Sequence, residues 1–442
     1  LSVKSSFGIF EITDHLETYG LSRHIAVYHR GCIYKLRVFD EDDRIYSLDE
    51  LTEIFEELLM RDENVGEVEG RIAALTTDTR DRWHENRRQF FLENAINKET
   101  LCAIESAIFF LVLDHSEYYD DDSEMLGSFF KNMLAGDGCN RWADKSLNYV
   151  VAANGRCGGT TEHSIGDGAE FDYVFENFAY MDNKIIDSTY AVRLKFDIDE
   201  KMSKEIMRCY ADYQQQISDL DVASIVFADF GKGLLKEGSI SPDAFVQMAL
   251  QLASYRDQGK FCLTYESASA RFFAASRTET LRPVTKESCA FVRSMLDANS
   301  SREERLSLLL RAVEVHGLHK TQCMVGQGFD RHLFVLYVLS KLTSIRSPFL
   351  EYYIGQEWQL STSQVPNMSQ QLDEDSEPGL SWFGAGFGAV CKSGYGICYR
   401  FAGNHSICVH ITSYRSAENT DSRRFQQYMI QSFHEISALI KA

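Results

Sequence analysis

Apolar residues fall along the chain in two rhythms. Alternating or β-branched runs mark strands at residues 23–29, 147–151 and 358–365, the last stopped by Pro366. Asn154-Gly155 follows the second of these and is a strong two-residue hairpin signal, which predicts a returning arm that delivers Glu162-His163-Ser164 at a strand end. A 3.6-residue rhythm marks helices. Ser241-Pro242-Asp243 sets an N-cap, a first-turn proline and an acid ahead of Phe245, Met248, Ala249 and Leu252, one apolar stripe that ends before Gly259. Ser301 and Glu304 predict a capping box ahead of Leu306, Leu309, Leu310 and Val313, with Gly317 as the stop. A further helix is predicted to open at Asp330-Arg331-His332. Strands and helices mix throughout, as in an α/β or α+β chain. All five prolines (242, 283, 348, 366, 378) lie in the second half, so no Pro-rich linker marks a boundary. The charged stretch around residues 195–202 places the expected division near residue 205, giving domains 1–205 and 206–442.

Composition narrows the functional classes. The 442 residues, 44% hydrophobic and 25% charged, are enough for two or three packed cores. A net charge of −20 repels phosphate backbones, which argues against nucleic acid or an anionic membrane surface as the main partner. The apolar run at 107–113 is far short of the roughly 18 residues that a membrane-spanning helix needs. Eleven cysteines without a Cys-x-x-Cys pair or regular spacing read as reduced thiols, with no disulfide framework or metal motif. The chain opens on Leu1 without a basic-then-apolar leader and reads as a fragment or processed form.

Four segments could carry chemistry. His163 has Asp167 four residues on, a carboxylate placed to orient an imidazole that could take a proton from an alcohol; a satisfied turn histidine is the plainer alternative. Ser361 and Ser363 face one side of a predicted strand and could donate to a developing oxyanion; the plainer alternative is the polar face of an edge strand. Gly231, Lys232 and Lys236 precede the helix that starts at Ser241, which offers cations and a helix N-terminus to a phosphate, or simply two solvated lysines in a loop. The run Gly384-Ala385-Gly386-Phe387-Gly388 lacks the amphipathic helix that a dinucleotide-binding loop requires, and reads as backbone kept bare for close approach. Asn367 and Asn404 fit a glycosylation pattern that the cysteine usage makes idle.

Taken in order, Asn140-Arg-Trp-Ala-Asp-Lys-Ser146, Glu162-His163-Ser164, Phe230-Gly-Lys-Gly233 leading to Ser241-Pro-Asp-Ala-Phe245, Thr264-Tyr-Glu-Ser267, Arg277-Thr-Glu-Thr280, Asp330-Arg-His332, Ser361-Thr-Ser363 and Gly394-Tyr-Gly396 resemble the carnitine/choline acyltransferase family. The likeness runs from about residue 23 to the C-terminus, and the runs at 277–282, 287–293, 330–334 and 347–350 look most like the family's palmitoyl-transferring type. The resemblance implies an α/β fold of two similar mixed-sheet domains flanked by helices, chloramphenicol acetyltransferase-like, with the active site in a tunnel between them. It implies direct acyl transfer between coenzyme A and the carnitine hydroxyl, with no acyl-enzyme and no permanently bound cofactor. His163 would be the general base, Asp167 its support and Ser363 the oxyanion donor. Gly231, Lys232, Lys236 and Asp243 fall on the coenzyme A segment. Tyr265, Thr278, Arg331 and Phe387 fall on the carnitine site, and Gly384, Ala385 and Gly386 on the acyl channel.

Arg331 is the cation that a carnitine carboxylate needs and that choline-using members lack, so it disfavours a choline acetyltransferase. Retention of His163, Asp167 and Ser363 disfavours a non-catalytic acyl-CoA-binding or regulatory protein. Ala385 stands where short-chain members carry a bulky residue and long-chain members a glycine, which points to medium or long acyl groups, with Trp382 and Phe383 as a departure. The family's catalytic unit begins well upstream of the matched region. The expectation is therefore a chain missing part of its first domain, attached to the mitochondrial outer membrane on its cytosolic face only through an N-terminal segment outside these residues.

Overall fold

The computed structural model describes residues 2–7, 12–163, 166–168, 170–171, 174, 191–365, 373–376 and 383–440. Ser164, Pro366, Asn367, Pro378 and Trp382 lie outside the described residues. The chain divides into two compact units, one of residues 1–120 and 128–218 and one of residues 121–127 and 219–442. A division at 205 would cut the helix Glu200–Asp219, which runs unbroken through that position; the observed break falls at the helix's end.

The first unit holds a hairpin of β1 (Ser2–Phe7) and β2 (Ile12–Glu17) and a six-stranded mixed sheet. The sheet contains β3 (His24–His29), β4 (Cys32–Arg37), β5 (Phe110–Leu113), β6 (Leu147–Val151), β7 (Cys157–Thr161) and β8 (Val192–Leu194) in the order β7-β6-β5-β3-β4-β8. β5 runs parallel to both β3 and β6, and the other pairs are antiparallel. Helix α1 (Leu48–Met60) starts in a complete capping box between Ser47 and Glu50 and lays Ile54 and Leu58 on Ile25, Val27, Tyr34 and Leu36 of the sheet. The 140–146 motif is architecture. Trp83 and Trp142 meet edge to face, Asp144 accepts from Trp83 Nε1 at 2.5 Å and from Arg80 Nη1 at 2.6 Å, and Lys145, 1% exposed, donates to the carbonyls of Glu105 and Ala107. Burial pulls the Lys145 ammonium down to about 8.

The second unit repeats the plan. Its six strands, β9 (Leu220–Phe227), β10 (Thr264–Ser269), β11 (Thr278–Leu281), β12 (Leu360–Gln364), β13 (Tyr395–Ala402) and β14 (Ser406–Tyr414), order as β11-β10-β12-β13-β14-β9. β12 is parallel to both neighbours, β10 and β13. Ser361 and Ser363 thus lie on an interior strand, and the edge-strand alternative falls.

One face of this sheet presents Leu360, Tyr395, Ile397, Tyr399, Ile407, Val409 and Ile411 to helices. The helix with the proline start, α2 (Pro242–Gln258), is capped by Ser241 and closed by Gly259 in the left-handed region at φ +68°. Residues 244–254 of it are buried on every side, so it is a central helix, wider in contact than the single predicted stripe. The helix that begins after Ser301, α3 (Arg302–Met324), does not stop at Gly317 and runs on to Met324. Helix α4 (Ser422–Ile440) completes the layer through Phe425, Met429, Phe433 and Ile436.

Candidate active site

His163 sits two residues beyond β7, where the hairpin at Gly155 (φ +79°) returns the chain. Its Nδ1 lies 3.0 Å from the Gly166 carbonyl and 3.2 Å from Asp167 Oδ1. Two acceptors on one nitrogen fix the proton at Nδ1 and leave the lone pair of the neutral ring on Nε2, the atom that can act as a base. The ring is 67% exposed, whereas Asp167 is 19% exposed and held from its own backbone N–H, which donates to Glu170 Oε2 at 2.9 Å.

The remaining predicted residues belong to the second unit. Strand alternation puts Tyr265, Ser361 and Gly396 on one rung and Ser363 and Cys398 on the next, on the face opposite the helices. Ser363 stands opposite Cys398 on the neighbouring strand, and burial pushes the Cys398 thiol up to about 12, against a lowering from Ser363. Thr278 lies on the same face across β11, opposite Ser269 and four residues along β10 from Tyr265, roughly 13 Å at strand rise. Arg331 meets it there: Nε donates to the Thr278 carbonyl at 3.0 Å and Nη2 to its Oγ1 at 3.2 Å. The helix carrying Arg331 (Asp330–Leu342) is pinned by the preceding residue. Asp330, 4% exposed, takes a fork from Arg282 at 2.9 and 2.7 Å, and that guanidinium lies 5.0 Å from the ring of Trp358, which packs on Tyr265.

The 383–389 loop lies on this same face. His410 Nε2 donates to the Phe383 carbonyl at 3.0 Å and Thr412 Oγ1 to the Phe387 carbonyl at 2.8 Å. Gly396 is required below it, because a Cβ there would sit 2.7 Å from Thr412 Oγ1 and 3.0 Å from the Ala389 nitrogen. No helix follows the run; the next element is β13. Gly384, Gly386 and Phe387 are half-buried and Ala385 exposed. Beneath Gly384 lies an ion pair that sequence reasoning missed, Arg400 with Glu374, whose side chains are 3% and 2% exposed.

On the helix-covered side, a 260 Å³ pocket is lined by Lys232, Ser241, Asp243, Lys320, Gln364 and Phe401, among others. The lysine segment is itself a short helix (Lys232–Glu237) where a loop was expected, and Gly231 caps it against the 404–406 turn, with Asn404 O only 2.6 Å from where a Cβ would stand. Lys236 is exposed and does not line the pocket. Asp243 is 7% exposed; its oxygens accept from Lys320 Nζ and Tyr399 OH, each at 2.5 Å. One turn from Lys320, the buried His316 bonds Glu266 through Nε2 at 2.7 Å. Burial alone would lower His316, but the carboxylates of Glu266 and Asp243 raise it. Burial alone would raise Asp243, and the charges of Lys320 and His316 lower it. Lys320, His316 and Glu266 were not expected at a site. The signal was present as an i, i+4 pair of cations, hidden by ending the helix at Gly317.

With this geometry in hand, likeness to known proteins decides the family. The family model for choline/carnitine O-acyltransferases matches residues 10–431. The chain belongs to that family. It is 38% identical to human carnitine O-palmitoyltransferase 1, liver isoform, and 36% identical to the muscle isoform of Rattus norvegicus, over 97% of this chain and 58% of each relative. Carnitine O-acetyltransferase of Columba livia is 31% identical over 95% of this chain and 67% of that protein. The chain thus spans 58% of the length of the two palmitoyltransferases. Among solved structures, the epimerization domain from the third module of tyrocidine synthetase B overlays only loosely, with a TM-score of 0.36 at 9% identity over 74% of this chain and 79% of that one. Among the described residues, no helix is long and apolar enough to cross a membrane.

Proposed function

We propose that the protein is a carnitine O-acyltransferase that moves a long, palmitoyl-type acyl group between coenzyme A and the carnitine hydroxyl. In this reading His163 Nε2 takes the hydroxyl proton as the oxygen attacks the thioester carbonyl. Asp167, beside Nδ1, stabilises the imidazolium that forms. Ser363 donates to the tetrahedral oxyanion, an effect worth about 3–4 kcal/mol per donor in comparable sites. The C–S bond then breaks, the coenzyme A thiolate recovers the proton from His163, and no acyl-enzyme forms. Arg331 pairs with the carnitine carboxylate beside Thr278 and Tyr265, and the Phe387 ring takes the trimethylammonium. Gly384, Ala385 and Gly386 border the acyl channel. Lys232, Lys236 and the Gly231 cap hold coenzyme A, which serves as co-substrate. The proposed location is the mitochondrial outer membrane, facing the cytosol.

The observation that carries this reading is the Arg331 guanidinium held against Thr278 at the face that also presents Ser363. A carboxylate-bearing acceptor uses that charge and choline does not. The test is acyl transfer by the intact protein from palmitoyl-CoA and acetyl-CoA to carnitine or choline. Palmitoyl transfer to carnitine is expected, with Arg331→Asn losing about 10²–10³-fold in kcat/KM for carnitine. Preferential acetylation of choline, or coenzyme A binding without turnover, would replace the reading with a choline enzyme or a binding protein.

A further inference from the structure

The pocket beside α2 holds a second ammonium whose position is built by the protein. Asp243 has both oxygens committed internally, to Lys320 and to Tyr399, so its carboxylate has little left with which to recognise a ligand. An ammonium has three N–H donors, and Lys320 spends one on Asp243 while its side chain stays 32% exposed at the pocket wall. Lys232 enters from the other wall, on the short helix packed under the 404–406 turn. Asp243 and Glu266 balance Lys320 and His316, and Lys232, within electrostatic reach of the Asp375 carboxylate, adds a further cation at the pocket wall of a chain whose net charge is −20. Such a pocket selects an anion with several acceptor oxygens.

We propose that Lys320 is a phosphate-binding residue of the coenzyme A site and that Asp243 is a positioning residue that holds its ammonium in the pocket. The inference rests on the coenzyme A reading of this pocket. It reassigns Asp243 from direct contact with the ligand to support of the residue that makes it. Lys320 is reached from α3 only because that helix runs past Gly317. The ligand group is a phosphate ester, either the 3′-phosphate or the pyrophosphate of coenzyme A.

Titration calorimetry of the intact protein with coenzyme A, 3′-dephospho-coenzyme A and pantetheine tests this. Lys320→Met is expected to weaken coenzyme A binding by about tenfold or more, in line with loss of a charge-assisted hydrogen bond, to leave pantetheine unchanged, and to be largely rescued in Lys320→Arg. The same loss with 3′-dephospho-coenzyme A assigns the pyrophosphate; no loss assigns the 3′-phosphate. Coenzyme A affinity within twofold of wild type in Lys320→Met, or an equal loss for pantetheine, overturns the proposal. Should Lys320→Met fail to fold, the double variant Lys320→Met/Asp243→Asn removes both charges of the pair and must show the same loss. Lys232→Met separates the two levels. If it weakens coenzyme A while Lys320→Met does not, only Lys320 is wrong; if neither matters, the pocket is not the coenzyme A site.

Discussion

Two histidine–carboxylate pairs stand in this molecule, and they differ in almost every physical respect. His163 and Asp167 lie four residues apart on a turn, 3.2 Å from nitrogen to oxygen, with the ring 67% exposed. His316 and Glu266 come from a helix and a strand fifty residues apart, 2.7 Å from nitrogen to oxygen, with both side chains 2% exposed. The first leaves a ring nitrogen open to solvent and costs little to build. The second removes both charges from water, and only the surrounding network of Asp243, Lys320 and Tyr399 makes that tolerable. On the proposed reading the same pairing serves reaction in one place and architecture in the other, and burial distinguishes them.

The comparison can be broken at either end. The largest effect is expected in His163→Ala, which should lower kcat by roughly 10²–10⁴-fold while leaving coenzyme A affinity and thermal unfolding unchanged, since general base catalysis is worth about that much. Retained turnover would move the base elsewhere. Next, Glu266→Gln should destabilise the second unit by about 3–5 kcal/mol, because it leaves the buried His316 without its counter-charge. Denaturant unfolding measures this, and Glu266→Leu/His316→Leu should recover much of the loss. Asp167→Asn should cost about 10–100-fold in kcat by analogy with loss of a group that orients a reactive imidazole, with no change in the unfolding midpoint. A destabilised Asp167→Asn would mean that the exposed pair is architectural too.

The smallest effect is in pH. His316 is raised in the folded state, so its contribution is fully present below the unfolded value near 6.5 and is lost as pH rises through the folded value. The stability gap between wild type and His316→Gln should be widest below about pH 6.5. Above it the gap should narrow by at most about 1.4 kcal/mol per pH unit. A gap independent of pH would show that the ring titrates alike in the folded and unfolded chain, and one that narrows as pH falls would show that the ring is neutral in the fold.

Local signals carried much of this structure. Asn154-Gly155 announced the turn that delivers His163, and the Ser241-Pro242 start and Gly259 stop of α2 hold to the residue because caps are decided by nearby atoms. Alternation put Ser361 and Ser363 on one face, but only long-range pairing made their strand interior rather than edge. Gly317 shows where local logic loses. A glycine ends a helix by entering the left-handed region, and this one does not, because Leu309, Ala312, His316 and Cys323 continue a buried stripe across it. The cost of a mid-helix glycine, about 1 kcal/mol, is less than the packing gained beyond it. The ion pair of Arg400 and Glu374 had no signal at all, since its partners are brought together by a turn and a strand far apart in pattern.

Strand β12 has a further consequence. Its pleat sends Ser363 to one side of the sheet and Gln364, which lines the pocket of Lys232 and Lys320, to the other. On the proposed reading the long flexible arm of the donor has to thread past the end of this strand before its sulfur can reach the hydroxyl. The sheet then acts as a ruler, and a donor whose arm is shortened by a few bonds would dock its nucleotide yet deliver nothing.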